Sequence, residues 1–93
     1  MANTLDTNPA FIDTFGADVT ITSNRANIKC ITFSSPGADH CVLTDTAGNT
    51  VVDSRVAANT TDNQSIETSS QGLIVDVSQG SFTAAAALLV YFN

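Results

Sequence analysis

The chain has no Trp, one Tyr, one Met, one His, two Pro, two Cys and only three basic residues among its 93. Each scarcity excludes something. Nucleic acid binding needs several Lys or Arg against phosphates, and Arg25, Lys29 and Arg55 are too few and too scattered to make a basic stripe. The formal net charge of −6 argues against an anionic membrane surface for the same reason. The longest apolar run, from Ala84 to Phe92, is about half of what a membrane-spanning helix needs. Met1 to Asp6 lacks the positive start and apolar run of a signal peptide, so no secretion route is expected. One His and two Cys fall short of the ligand set of a structural zinc site. Without Trp, and with a single Tyr, a sugar-stacking platform has little to be built from. No glycine-rich phosphate loop is present, and no cofactor is expected.

What remains is neutral, polar and β-prone. Thr, Ser and Asn supply 30 of the 93 residues, whereas charged residues make up only 13%. Helix formers are scarce, with one Glu, one Lys and one Met. Thr and Val favour extended backbone because branching at Cβ restricts χ1. A chain of this length makes one domain and buries only roughly 60–65% of its unfolded surface, so contact with a partner or with its own copies would add stability.

Residues 1–17 read as an N-terminal arm and 18–93 as the folded domain. Pro9 disfavours helix at Asn8, and Phe11, Ile12 and Phe15 form a compact apolar cluster ahead of the breaker Gly16. These three are the candidate partner-binding residues, because aromatic side chains are enriched in interface cores. The arm has two uses open to it: covering a sheet edge of its own domain, or docking on a neighbouring subunit.

From Asp18 the pattern alternates with period two, as half-buried strands do. Val19 and Ile21 point one way. Ile28–Phe33 places Ile31 and Phe33 on one face with Ile28 and Cys30 on the other. His40–Asp45 and Thr50–Val56 flank the Gly-containing loop Thr46-Ala47-Gly48-Asn49, a hairpin signal. A polar loop over 59–64, a short strand around Ser65–Thr68, a turn over 69–72, a strand Leu73–Val77, a turn over 78–81 and a last strand Ala86–Phe92 complete the chain. Seven or eight short strands at this spacing predict an all-β antiparallel sandwich or jelly-roll-like barrel, with Ile21, Leu43, Val75 and Val90 in its core.

Reactive residues do not converge. His40 and Cys41 are adjacent, so on a strand they face opposite ways and cannot pair as base and nucleophile. If Ile28–Phe33 and His40–Asp45 formed a hairpin about Ser35-Pro36, Cys30 and Cys41 would lie opposite each other, near disulfide geometry; the alternative is two buried free thiols. Asp45 and Gly48 suit turn chemistry better than a calcium loop, which needs further acidic positions.

The pattern from Ile28 onward resembles a group of small tailed-bacteriophage virion proteins. The matching elements are Ile31-Thr32-Phe33-Ser34, Cys41-Val42-Leu43-Thr44-Asp45 with its Ala47-Gly48-Asn49 turn, Gly72-Leu73-Ile74-Val75, and Ala87 to Phe92. The resemblance implies a non-enzymatic β-sandwich carried on the phage particle and assembled in the host cytoplasm. Its partners would be the major capsid protein or other virion proteins, with many copies or a homo-oligomer on the particle. The implied function is a capsid cement or decoration protein; the alternative is a small tail, fibre or knob component, or a receptor- or glycan-binding β-module. The arm with Phe11, Ile12 and Phe15 lies outside the matched pattern.

Overall fold

A computed structural model describes residues 3–5 and 7–93. Six antiparallel strands form a single sheet: β1 (Ala10–Ile12), β2 (Val19–Ser35), β3 (Asp39–Thr44), β4 (Thr50–Val56), β5 (Thr60–Val75) and β6 (Ala87–Phe92), in the spatial order β1-β6-β2-β5-β3-β4. The one helical element among the described residues is a 3-10 turn, Val77–Gln79, capped by the Asp76 side chain. The chain is all-β, as its Thr- and Val-rich composition predicts.

The count of six differs from the seven or eight short strands expected, and the reason is specific. Val19–Ile21 and Ile28–Phe33 belong to one 17-residue strand, and the expected strand near 65–68 joins the first part of the one at 73–77 in one 16-residue strand that ends at Val75, Val77 instead opening the 3-10 turn. The stretch 69–72, read as a turn, and nearly all of 59–64, read as a loop, remain extended because β2 and β5 pair with each other from Val19↔Val75 to Ser35↔Thr60. Polar composition says that a segment is solvated, and a strand with an exposed face is solvated too. One strand, β1, lies in the segment read as irregular arm.

Bulges reset the facing of β2. Ile28 and Cys30 stand opposite Thr68 and Ser65, so β5 carries an extra residue there, and Glu67 takes a positive φ of 49°. Against β6 the extra residue is on β2, with Ile28 opposite Phe92 and Cys30 opposite Tyr91. A bulge shifts side-chain parity by one. Ile28, Ile31 and Phe33 therefore all point into the core, whereas strict alternation placed Ile28 on the other face with Cys30.

The long β2/β5 pair is shared by two sets of neighbours. β6 lines β2 along Ile28–Ser34, and β3 joins β5 only at Leu43↔Val75 and Thr44↔Ile74. The sheet curves around one apolar cluster that includes Ile12, Ile21, Ile31, Phe33, Leu43, Val52, Leu73, Val75, Leu88 and Val90. Ile21, Leu43, Val75 and Val90 are all buried, as expected. The last strand in the order, β4, reaches back to the first half of β5: Ser54 Oγ donates to Asp62 Oδ2 at 2.7 Å, and Gln64 Nε2 donates to the Asp53 carbonyl at 3.0 Å.

The β3–β4 hairpin forms where the sequence places it. Asp45 accepts from the Ala47 and Asn49 N–H groups at 3.0 and 2.9 Å, and Gly48 has φ +87°. The β2–β3 pairing required for a Cys30–Cys41 bridge does not form. β2 lies between β6 and β5, so Cys30 faces Ser65 and Tyr91 while Cys41 faces Ser54, and both thiols are free.

Candidate functional site

Antiparallel register brings the outward residues of four strands into three rows, because directly opposed residues share a face. Phe11 on β1 stands opposite Leu89 on β6, Leu89 opposite Thr32 on β2, and Thr32 opposite Asn63 on β5. Thr32 Oγ1 donates to Asn63 Oδ1 at 2.7 Å along that row. Tyr91, Cys30 and Ser65 make the second row, and Ala87, Ser34 and Thr61 the third. None of these ten residues is charged, although Lys29 and Glu67 line the same shallow cleft as Cys30, Thr32, Asn63 and Ser65. Phe11, Leu89, Tyr91 and Cys30 are each half-buried, since one side of each packs on the sheet and the other meets solvent.

The three candidate arm residues are not brought together. Ile12 is fully buried opposite Leu88 and belongs to the domain's own core. Phe15 is half-buried and stacks on Phe82, with centroids 4.1 Å apart and planes 7° apart; Phe82 in turn meets Phe33 edge-on at 6.0 Å. Only Phe11 joins the outer face. The arm is fastened to its own domain: Thr4 and Phe11 exchange two backbone hydrogen bonds of 2.8 Å. The Asn8 side chain accepts from Phe92 N–H at 3.0 Å and donates to its carbonyl at 2.8 Å. Sequence reading missed Leu89, Tyr91, Cys30 and Thr32 as surface residues of one patch. The signal for two of them was present, since placing Leu88 and Val90 inward sends Leu89 and Tyr91 outward. Their alignment with Phe11 and Thr32 depends on strand order, which alternation does not encode.

The chemically reactive side chains lie on the β3–β4 side. Asp39 and Cys41 point inward and His40 outward, as strand alternation requires. His40 Nε2 is 2.5 Å from Asp53 Oδ1, and Arg55 Nε is 3.7 Å from the same oxygen. Burial, with a smaller contribution from the Asp53 charge, pushes the Cys41 thiol up to about 12, so it remains protonated and unreactive at neutral pH. Asp39 is buried and serves the fold. It accepts from Ser35 Oγ at 2.6 Å and from Thr83 N–H and Oγ1 at 2.5 and 2.9 Å, fastening the β2–β3 turn to the segment before β6. Among the described residues no group of three or more His, Cys, Asp or Glu side chains is placed to hold a metal ion.

A second surface feature lies where β6 ends. A groove of about 620 Å³ runs beside β2 between Ile21 and Asn27, walled by Leu5, Asn8 and Phe92. Among the described residues that line it, Arg25 is the one cation. Comparison with known proteins adds no relative to these two surfaces: no family model, no curated protein and no solved structure matches the chain.

Proposed function

We propose that this protein is a non-enzymatic structural protein of a phage virion, a capsid cement or decoration protein whose folded sheet is a small β-sandwich. The outer face formed by Phe11, Leu89, Tyr91, Cys30 and Thr32 carries the reading. Charge is depleted and aromatic residues are enriched in the cores of protein interfaces; the Phe11, Leu89 and Tyr91 part of this face has both properties, and the charged Lys29 and Glu67 lie at its border beside Cys30. A cement protein needs stability, a surface that keeps many copies apart and one patch complementary to its partner; net negative charge supplies the second requirement. The partner is the major capsid protein or another virion protein. The Thr- and Asn-rich composition and the strand pattern from Ile31 to Phe92 support the same reading by resemblance.

The test counts molecules and then breaks the face. Quantitative mass spectrometry of purified particles should find hundreds of copies per capsid; a dozen or fewer would move the protein to the tail, and none would end the virion reading. Leu89→Asp should leave the fold intact because the side chain points outward, and should abolish decoration of particles lacking the protein. Normal decoration by a folded Leu89→Asp variant would remove the outer face from the mechanism.

A further inference from the structure

We propose that the segment 3–15 exchanges between two copies of this chain, so that β1 of each copy adds to β6 of the other, with Gly16 and Ala17 as the hinge. The inference goes beyond the virion reading and does not rest on it.

The connection from β1 to β2 is short for what it joins. The two strands flank β6 and both run antiparallel to it, so they are parallel to each other. Parallel strands of one sheet need a crossover of about a dozen residues, and here only the six from Asp13 to Asp18 are present. The register makes the demand larger. Ile12 stands opposite Leu88, and Leu88 opposite Phe33, so β1 lies level with the far part of β2. A straight strand from Val19 to Phe33 would measure about 46 Å at roughly 3.3 Å per residue. The link from Ile12 to Val19 reaches at most about 25 Å. The segment returns to its own β6 only because β2 bends, as a strand does at bulges, and β2 shifts register at Thr20/Thr22, Thr22/Arg25 and Ile28/Cys30. Short hinges invite exchange, because another copy can approach to wherever the segment reaches, and exchanging an identical element is a low-cost route to a dimer.

The segment also holds itself together. Asn3 Oδ1 accepts from the N–H groups of Asp13 and Thr14 at 3.0 Å each, and Asn3 Nδ2 donates to the Thr14 carbonyl at 3.1 Å. With the Thr4–Phe11 pair, these bonds lie inside the segment and survive its transfer. Its bonds to the rest of the domain are the β1–β6 ladder, the Asn8–Phe92 pair and the Phe15–Phe82 stack, and all of them re-form between copies. Beyond Phe15 the chain bends through the exposed Gly16 and Ala17, and a Cβ at Gly16 would meet nothing within 4 Å. The occupant is a second copy because Ala10 and Ile12 are fully buried. A vacated β6 would expose the core beneath them, and the same segment from another copy refills it without loss. In the exchanged pair, the Phe11 beside each Leu89 comes from the other copy.

The experiment uses two variants of the full chain, Ala10→Cys and Val90→Cys, each with Cys30→Ser. Ala10 and Val90 are directly opposed and both fully buried. A disulfide between the two variants therefore requires β1 of one copy on β6 of the other, and association through the outer face cannot form it. The variants are unfolded and refolded together, then oxidised, at about 1 mM and about 10 μM, since short links give effective concentrations in the millimolar range. At the higher concentration the mixed covalent dimer should exceed the dimers of either variant refolded alone, or with the wild-type chain, by at least about tenfold, and dilution should reduce it at least about tenfold by mass action. Inserting about six Gly and Ser residues after Gly16 should lower it by a similar factor, because a crossover of ordinary length lets β1 return to its own β6. No mixed dimer in the concentrated sample, no excess over the controls, or a yield unchanged by the longer link would each overturn the proposal. Sedimentation equilibrium of the unaltered chain should show a monomer–dimer equilibrium that the longer link abolishes. A wild-type chain that stays monomeric at about 1 mM would overturn the proposal whether or not the cysteine variants fold.

Discussion

Two stretches of the same strand behave oppositely. From Ile28 to Ser34, β2 has β5 on one side and β6 on the other and buries Ile28, Ile31 and Phe33. From Thr22 to Asn27 it has β5 alone, and none of its residues is fully buried. The backbone is extended in both. What differs is whether the strand has described neighbours on two edges and a layer of side chains beneath it, and that difference separates a part that holds the fold together from a part held on one side.

The strongest way to break the comparison is to truncate one side chain on each stretch. Phe33 is fully buried, and Phe33→Ala should cost about 3–5 kcal/mol in denaturant unfolding, from lost transfer energy and the cavity left behind. Asn27→Ala, at an exposed position, should change stability by no more than about 0.5 kcal/mol. Similar values for the two would mean that the core is not where the two-sided pairing places it.

Asp39 sharpens the comparison at the end of the same strand, because it secures the turn that follows Ser35. Asp39→Ala strands the buried Ser35 hydroxyl and releases Thr83, and should cost about 1–3 kcal/mol, measured in the same way. Burial pushes the Asp39 carboxyl up, but the hydrogen bonds from Ser35 and Thr83 outweigh it and hold the group below its ordinary value of 3.8. A depressed folded value means that the unfolded chain takes up the proton first as pH falls. The stabilisation is therefore complete above pH 3.8 and is lost as pH drops below that value. Asp45, held down chiefly by the Asn49 N–H, and Asp76, held down chiefly by the Ser78 hydroxyl, lose stability in the same direction. Acid unfolding followed by circular dichroism should be shallower below pH 3.8 in Asp39→Asn; an unchanged slope would remove Asp39 from the acid transition.

A smaller effect is expected at Gly72, where the β2/β5 pair turns toward β3. Its φ is +82°, and a Cβ there would overlap the Thr46 methyl. Gly72→Ala should cost about 1–2 kcal/mol through backbone strain and that overlap. A stabilised Gly72→Ala variant would mean that this bend does not need its left-handed residue. The mildest test needs no mutation: native-state hydrogen exchange should be at least about tenfold faster at the Arg25 amide than at those of Ile31 and Phe33, because local opening is easiest where one edge is unpaired. Equal protection would indicate that the Thr22–Asn27 edge is already covered.

Much of the architecture was legible where chemistry is local. The Asp45–Asn49 turn, the β3–β4 hairpin, the inward Leu43, Val75 and Val90 and the opposed His40 and Cys41 all follow from spacing over a few residues. The length of β2 and β5 was not legible, because a polar strand paired along one edge and a polar loop have the same composition. The facing of Ile28 was misread because bulges at Lys29 and Glu67 act only through partner strands. The proposed outer face was half legible: alternation sends Leu89 and Tyr91 outward, but only the order β1-β6-β2 sets Phe11 and Thr32 beside them.

Composition and short-range periodicity by themselves determined that this chain is all-β, that its surface is neutral and polar with an acidic bias, and which alternate residues seek the core. Those properties depend on single residues and their near neighbours. The tertiary structure alone decided which strands lie side by side, and with that the separation of Cys30 from Cys41 and the burial of Ile12 beside an outward Phe11. Strand order is set by contacts between residues far apart in sequence, and no local pattern records which distant edge a strand will meet.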